Sequence, residues 1–262
     1  MTAQVGLRWS ANADLARVGE VTGRAELCVR ATESESAIAL VDAVLQPGPG
    51  GGRCAEPGTA RSLAVADRDR VLVQVHLDLY GALIETTLTC ERCADRYDLA
   101  FRLDELAAHC EPDPAERTQP QPWRLGDLEF RPLTGEDELA VLAGLDGDAA
   151  TALFRRVTAA DDVDADVARP DVADALARLS PPVAAPIGAS CPECGADQSV
   201  DFDVQGYLLA RILRERPRLW RSVHLIASAY HWSRAEILSL TRTERSTYVD
   251  ALTTSTRRSR AR

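Results

Sequence analysis

Four of the seven cysteines in this 262-residue chain form two Cys-x-x-Cys pairs, Cys90 with Cys93 and Cys191 with Cys194. This spacing places two thiols on one side of a tight turn, here called a knuckle. Zinc prefers four ligands in a tetrahedron, so each knuckle supplies half of a site. Two knuckles that face each other would complete it. The pairs therefore predict one structural zinc ion held by all four thiolates.

The two knuckles belong to a longer internal repeat. A shift of 101 positions superimposes the cysteine pairs and also aligns apolar positions that follow them, Leu99, Phe101 and Leu103 with Val200, Phe202 and Val204. Because metal-type and core-type positions match together, we expect a duplicated unit of knuckle, strand and helix start. The metal would clamp an N-terminal β section to a C-terminal helical section, and its binding energy would contribute to folding.

Two other readings of the cysteine pairs stay open. A redox pair normally lies between a strand and a helix N-terminus, where the helix dipole lowers a thiol pKa, whereas a polar turn and a strand follow these pairs. The thiols could also be simple buried side chains, since 97 residues separate the pairs. Cys28 and Cys54 lack a partner at metal spacing, and His109 beside Cys110 is a weaker substitute ligand.

Charge is unevenly distributed along the chain. All 30 basic residues are Arg and the net charge is −10, which disfavours a protein that coats nucleic acid. From Arg211 to Arg262 there are 12 Arg and 4 acidic residues, so the rest of the chain carries −18. This asymmetry indicates either electrostatic docking, within the protein or onto a partner, or a solvated helical face with a frayed basic tail. The start lacks an export signal, and no apolar run could span a membrane, so we expect a cytoplasmic protein.

The elements that must position the cysteines predict an α+β fold. It has an N-terminal antiparallel β section, zinc-ribbon-like knuckles and a C-terminal helical section. Alternating apolar residues from Val71 to Leu79 predict a strand with His76 on its exposed face, and 25–31 could form another strand. The stretch 82–89 continues as a strand into Cys90. We divide the chain into a β-rich section (1–110), a Pro-rich linker (111–124) and a section (125–262) that carries the second knuckle and the helices.

Helix starts and stops are marked in the second half of the chain. Thr134 with Asp137, Ser233 with Glu236, and Thr241 with Glu244 have capping-box spacing. A helix is also predicted over Asp171–Leu179, and one over Val204–Arg214 is expected to end before Pro217, which would open the next helix. The tail from Thr253 is expected to be mobile.

The stretch "LWRSVHLIASAYHWSRAEILSLTRTERSTYVDAL" (219–252) resembles the C-terminal signature of a baseplate protein family of T-even-type contractile phage tails and contractile injection systems. The corresponding positions are His224, Ala227, Tyr230, Trp232, Ile237, Leu240, Arg245 and Tyr248. In the same order, "FRPLTGEDELAVL" (130–142) and "CPECGADQSVDFDVQGYL" (191–208) are similar to the family's strand–turn–helix entry and its Cys knuckle. The likeness covers about half the chain. It implies a structural, non-enzymatic baseplate component that contacts sheath, tube, spike or wedge subunits in a contractile particle, with no small-molecule substrate.

Two further readings lead to other functions. The stretch "LDLYGALIETTLTCERC" in the first section is similar to a small bacterial family linked to ribosomal RNA accumulation, which implies a ribosome-assembly factor. Residues 233–252 could instead form a helix-turn-helix beside a zinc ribbon, with Arg242 and Arg245 on phosphates, as in a nucleic-acid-binding regulator. The sequence contains no Gly-rich phosphate loop and no nucleophile motif.

Overall fold

The computed structural model describes residues 2–48, 53–113, 115–116, 121–144, 148–158 and 165–260, with no side-chain description at 165–168 and 255–260. Over these residues the chain is α+β, as predicted. The strands pair as four antiparallel hairpins, β1–β2, β3–β4, β5–β6 and β7–β8. They are β1 (Ala3–Gly6), β2 (Leu15–Val18), β3 (Leu83–Thr89), β4 (Arg96–Arg102), β5 (Trp123–Leu125), β6 (Leu128–Phe130), β7 (Ala184–Ser190) and β8 (Asp197–Asp203).

Ten α-helices surround these hairpins in the described part of the chain. They are α1 (Gly23–Cys28), α2 (Ser34–Val44), α3 (Val65–Tyr80), α4 (Leu103–His109), α5 (Gly135–Ala143), α6 (Ala149–Thr158), α7 (Ala165–Leu179), α8 (Val204–Tyr230), α9 (Arg234–Ser239) and α10 (Arg242–Arg260). Helices and antiparallel strands are interleaved, so the N-terminal section contains more helix than the sequence predicted.

The predicted strand over 71–79 is wrong, because this stretch lies within α3. Its alternating Val and Leu residues have strand period, but α3 is buried on more than one face, so Leu72 and His76 between the alternating residues are buried as well. Arg68, Leu72 and His76, spaced by four, are all buried along one side of the helix. His76 was predicted to be exposed and is fully buried. The second predicted strand, over 25–31, is also wrong, since its first half belongs to α1.

The main core joins the two ends of the chain. Leu72 and Val75 of α3 and Leu208 and Ile212 of α8 are buried together with residues of α1, α2 and β2. The predicted sections thus share this core, and the division at 110 and 125 remains a prediction. Part of the linker 111–124 lies outside the described residues, and β5 begins within it at Trp123.

A second core lies in the middle of the chain and includes Trp123, Phe130, Phe154 and Leu179. Trp9 reaches into it from the N-terminal section, and its Nε1 donates a 2.6 Å hydrogen bond to the Leu179 carbonyl. Helix α7 is longer than the predicted Asp171–Leu179. It begins at Ala165, and residues 159–164 before it lie outside the described part.

All three predicted capping boxes are present at Thr134, Ser233 and Thr241. Pro217 does not begin a new helix, because α8 runs continuously through it. Burial of side chains on both sides of Pro217 stabilises the helix despite the lost backbone hydrogen bond. The tail from Thr253, expected to be mobile, is helical as far as Arg260.

Candidate metal centre

Each cysteine pair lies in the loop of a β-hairpin. The β3–β4 hairpin closes with Thr89 opposite Arg96, and the β7–β8 hairpin closes with Ser190 opposite Asp197. Both hairpins have seven-residue strands, and every paired position in one has its counterpart 101 residues later in the other. Helices α4 and α8 also begin 101 residues apart. The repeat read from the sequence is therefore a repeat of structure, and a helix start is part of it.

The backbone of the two knuckles is hydrogen-bonded in the same way. The Cys90 N–H donates to the Asp95 carbonyl at 2.8 Å, and the Ala94 N–H donates to the Cys90 carbonyl at 2.9 Å. The second knuckle repeats both bonds from Cys191 and Gly195, each at 2.9 Å. These bonds turn the chain sharply enough that the two thiols of each pair point the same way.

The turn requires a left-handed backbone at its fifth position. Ala94 has φ +63° and Gly195 has φ +66°. Glycine adopts this conformation without a steric penalty, whereas alanine adopts it at a cost of about 1 kcal/mol. The backbone is therefore the same in both knuckles, but it is strained at Ala94 in the first and unstrained at Gly195 in the second.

The four sulfur atoms converge on one point. All of them lie within 4.8 Å of one another. Cys90 Sγ is 3.6 Å from Cys194 Sγ, and Cys93 Sγ is 3.7 Å from Cys191 Sγ. A disulfide would require about 2.05 Å. Four thiolates bound at about 2.3 Å to one tetrahedral ion stand about 3.8 Å apart, which is close to the observed distances.

The short distances join the first cysteine of one knuckle to the second cysteine of the other, in both directions. This reciprocal pattern is what a local two-fold arrangement of the hairpins produces. Phe101 and Phe202, which are equivalent in the repeat, also meet each other edge to face, with ring centroids 5.1 Å apart. The two units thus contact each other through matching surfaces, and the four thiols form one cluster, not two.

The cluster has a buried side and an accessible side. Cys90 and Cys191 are buried, whereas Cys93 and Cys194 are partly exposed. Tyr97 packs over the thiols with Leu88 and Ala189. An apolar cover excludes water from the sulfurs and strengthens ionic bonds made there. The arrangement suits a structural metal ion with a path for entry on one side.

Local hydrogen bonds divide the thiols by their acidity. The backbone N–H groups of Cys93 and Arg92 lower the pKa of the Cys90 thiol to about 7. The Asp95 backbone N–H lowers the pKa of Cys93, but burial and hydrogen bonds with the other three thiols outweigh it and raise that pKa to about 12. A cation between the sulfurs would favour the thiolate form of all four, because it offsets their mutual repulsion.

The other candidate ligands stay apart from this cluster. Within the described residues, the group that could hold a metal ion consists of the four knuckle cysteines and excludes His109 at the end of α4. Cys28, Cys54 and Cys110 are free thiols elsewhere. Cys110 is buried and lies 3.9 Å from the Ala184 carbonyl at the start of β7.

A buried ion-pair cluster was not predicted. Glu26 of α1 binds the guanidinium groups of Arg242 (2.8 Å) and Arg245. Arg242 also binds Glu215 of α8 at 2.6 Å. These bonds fix α10 against α1 and α8. Glu26 was assigned to a strand from the sequence, and nothing in a single sequence pairs it with arginines more than 200 positions away.

The chain matches no protein-family model, no curated protein and no solved structure. Among its described helices, none is both long and apolar enough to cross a membrane.

Proposed function

We propose that this chain is a structural protein whose two repeat units are fastened by one zinc ion through Cys90, Cys93, Cys191 and Cys194. The observation that carries the proposal is the reciprocal approach of the four sulfurs at tetrahedral spacing. Thiolate ligands favour zinc over hard cations such as Mg²⁺ or Ca²⁺. Four protein ligands leave no open coordination position, so the ion has a structural and not a catalytic role.

The location of the site supports a mechanical role. The ion would link two hairpins that are far apart in the chain but share one core through Ile84 and Phe202. A metal that binds only the folded arrangement transfers its binding free energy to folding. The ion would therefore hold the units in a fixed relation, which suits a part that transmits force between neighbours.

We further propose that the protein is a baseplate component of a contractile injection system or phage-like tail. The support is the sequence resemblance of residues 125–252, and the packing of its signature positions is consistent with it. Tyr230, Trp232 and Tyr248 form one aromatic cluster, with ring centroids 5.0 to 5.6 Å apart. Ile237 and Arg245 are buried. These signature residues hold α8, α9 and α10 together, as expected of a structural signature.

In this role the chain makes subunit contacts with sheath, tube, spike or wedge proteins, is made in the cytoplasm and performs no catalysis. The nucleic-acid alternative is less well supported. Arg242 and Arg245, which a helix-turn-helix would place on phosphates, are engaged by Glu26. No contact in the described part of the chain favours the ribosome-assembly alternative.

Metal analysis of the purified chain tests the zinc proposal. We expect about one zinc per chain after purification without chelator. A metal-free protein that neither binds added zinc nor changes its unfolding temperature would contradict the site.

Particle isolation tests the baseplate proposal. Contractile particles sedimented from producing cells should contain this chain together with sheath and tube proteins, and genes for those proteins should adjoin its own. Recovery of the chain only outside particles, from a locus without such genes, would contradict the proposed role while leaving the zinc site standing.

A further inference from the structure

Helix α8 carries a row of four arginines on one face. Arg211, Arg214, Arg218 and Arg221 are spaced by 3, 4 and 3 residues, so their side chains lie within one quarter of the helix circumference. The row, here called the arginine stripe, extends about 15 Å along the helix axis. A positively charged face of this length suits an extended or helical partner better than a single small anion.

The stripe is held in place by the buried face of the same helix. Five apolar residues of α8 are buried on the adjacent side, Leu208, Ile212, Leu219, Val223 and Ile226. The first two pack in the main core and the other three pack against α9 and α10. Because α8 is anchored on that side, the stripe is fixed in orientation and does not need to be ordered by a ligand.

The stripe is not neutralised within the described part of the chain. Arg214 and Arg221 are exposed and form no ion pair there. Arg218 has 83 % of its side chain exposed, and its nearest carboxylate oxygen, on Glu215, is 3.9 Å away. Arg211 lies over the Tyr80 ring, 3.8 Å from its centroid. By contrast, Arg216 of the same helix is used internally, donating to the Val29 carbonyl.

A groove runs beside the stripe. A cavity of about 330 Å³ is lined by Arg211, Arg214 and Arg218 of the stripe, by Leu83 and Glu85 of β3, and by Tyr207 and Glu215 of α8. Leu83 is 50 % exposed although it is a large apolar residue. An exposed apolar side chain next to the exposed Arg214 and Arg218 is typical of a protein contact surface, where arginine is enriched and apolar contacts add to the binding.

We propose that the arginine stripe and the Leu83 groove bind an acidic segment of a partner protein. Carboxylates accept paired hydrogen bonds from guanidinium groups, which matches the three exposed arginines of the stripe, Arg214, Arg218 and Arg221. The exposed side chain of Leu83 favours a protein segment over a phosphate backbone, because a phosphate backbone offers no apolar group to contact it. The proposal extends the proposed structural role by naming one contact surface, and it does not depend on the zinc site.

Binding of a fluorescein-labelled octaglutamate peptide to the full chain as purified, followed by anisotropy, tests the proposal. The stripe variant R214E/R221E reverses the two unpaired arginines. The control variant R30E/R155E reverses two other exposed arginines and changes the net charge equally. We expect the peptide to bind at about 0.05 M salt, to bind about tenfold more weakly to the stripe variant, and to dissociate at about 0.5 M salt. The control variant should bind as the wild type does.

Three results would overturn the proposal. The first is that octaglutamate does not bind at low salt. The second is equal weakening of binding in both variants, which would show an effect of net charge alone. The third is that labelled octauridine binds more tightly than octaglutamate and in a stripe-dependent way, which would make the surface one for nucleic acid. Zinc content and thermal unfolding of each variant are measured in parallel. If R214E/R221E had a lower zinc content or a lower unfolding temperature than the wild type, the test would be repeated with the milder variant R214Q/R221Q.

Discussion

The two repeat units have the same hairpin but different helices. Their strands, pairing and knuckle hydrogen bonds agree position by position. In the first unit the helix α4 has 7 residues and ends at His109, whereas in the second unit α8 has 27 residues and extends to Tyr230. The hairpin that carries the cysteines is thus the same in both units, and the helix that follows it is not.

The residues after each knuckle show why the helices differ. Ala107 and Ala108 of α4 are equivalent to Leu208 and Leu209 of α8. Both leucines are fully buried in the main core, while Ala108 is exposed. Burial of each leucine contributes about 2 kcal/mol to stability. Helix α8 therefore gains more from the core at these two positions than α4, which contributes Leu103 to the same core. The shared cysteine cluster involves the hairpins alone, and the length of each helix follows from what that helix can bury.

The largest expected effect tests whether the units share the metal equally. Cys90→Ser and Cys191→Ser should each release the zinc and lower the unfolding temperature by at least about 10 °C, because a removed structural metal is among the most destabilising changes. Metal analysis and calorimetry measure both. Cys28→Ser, outside the cluster, should retain the metal. Zinc retained in one of the two knuckle variants would show that the units are not equivalent.

A second prediction concerns His76 of α3, which α8 covers. Tyr207 of α8 lies beside His76, with ring centroids 5.7 Å apart, where α4 has Leu106 at the equivalent position. Burial, with help from Arg211, lowers the pKa of His76 to about 4. Its unfolded pKa is about 6.5, so the folded state disfavours the proton and loses about 3 kcal/mol of stability as the pH falls from 6.5 to 4.

His76→Phe should remove this part of the pH dependence, since phenylalanine does not titrate. Denaturant unfolding at several pH values gives the slopes, and metal effects common to both proteins cancel in the difference. His224→Phe changes an exposed histidine of α8 and serves as the control. Identical slopes in wild type and His76→Phe would show that His76 is accessible to protons in the folded state.

A smaller effect distinguishes the two helix starts. The Asp203 carboxylate caps α8 by accepting a hydrogen bond from the Gly206 N–H at 2.5 Å. At the equivalent position α4 has Arg102, which makes no cap bond. Asp203→Ala should cost about 1 kcal/mol of unfolding free energy, whereas Arg102→Ala should cause no measurable change. Equal losses in chemical denaturation would contradict the inferred asymmetry.

The smallest expected effect measures direct contact between the units. Phe101 and Phe202 meet edge to face, and such pairs contribute about 0.5–1 kcal/mol beyond burial. A double-mutant cycle with Phe101→Leu and Phe202→Leu should give a coupling energy of that size. If the two stability losses were strictly additive, the two rings would contribute no direct interaction between the units.

The cysteine cluster could be predicted from the sequence because each of its parts is formed by residues close together in the chain. A Cys-x-x-Cys pair, a following strand and a capped helix each span about ten residues, and the 101-residue repeat shows which pairs belong together. The capping boxes at Thr134, Ser233 and Thr241 were predictable for the same reason, since each depends on two residues three apart.

Features that depend on distant contacts were not predictable. The strand pattern over 71–79 became α3 because neighbours cover several of its faces, and no local signal shows which neighbours are present. Pro217 within α8 was misread because burial on both sides of it outweighs its local preference. The Glu26 cluster joins residues more than 200 positions apart and has no signature in one sequence.

Zinc K-edge X-ray absorption of the metal-loaded chain tests the shared site most directly, because it reports the ligands of the ion in solution. A single ion held by both knuckles should show about four sulfur neighbours at about 2.3 Å and no nitrogen or oxygen ligand. Two sulfur neighbours completed by nitrogen or oxygen would mean that each knuckle binds metal separately, and the account of one ion joining the two units would be wrong.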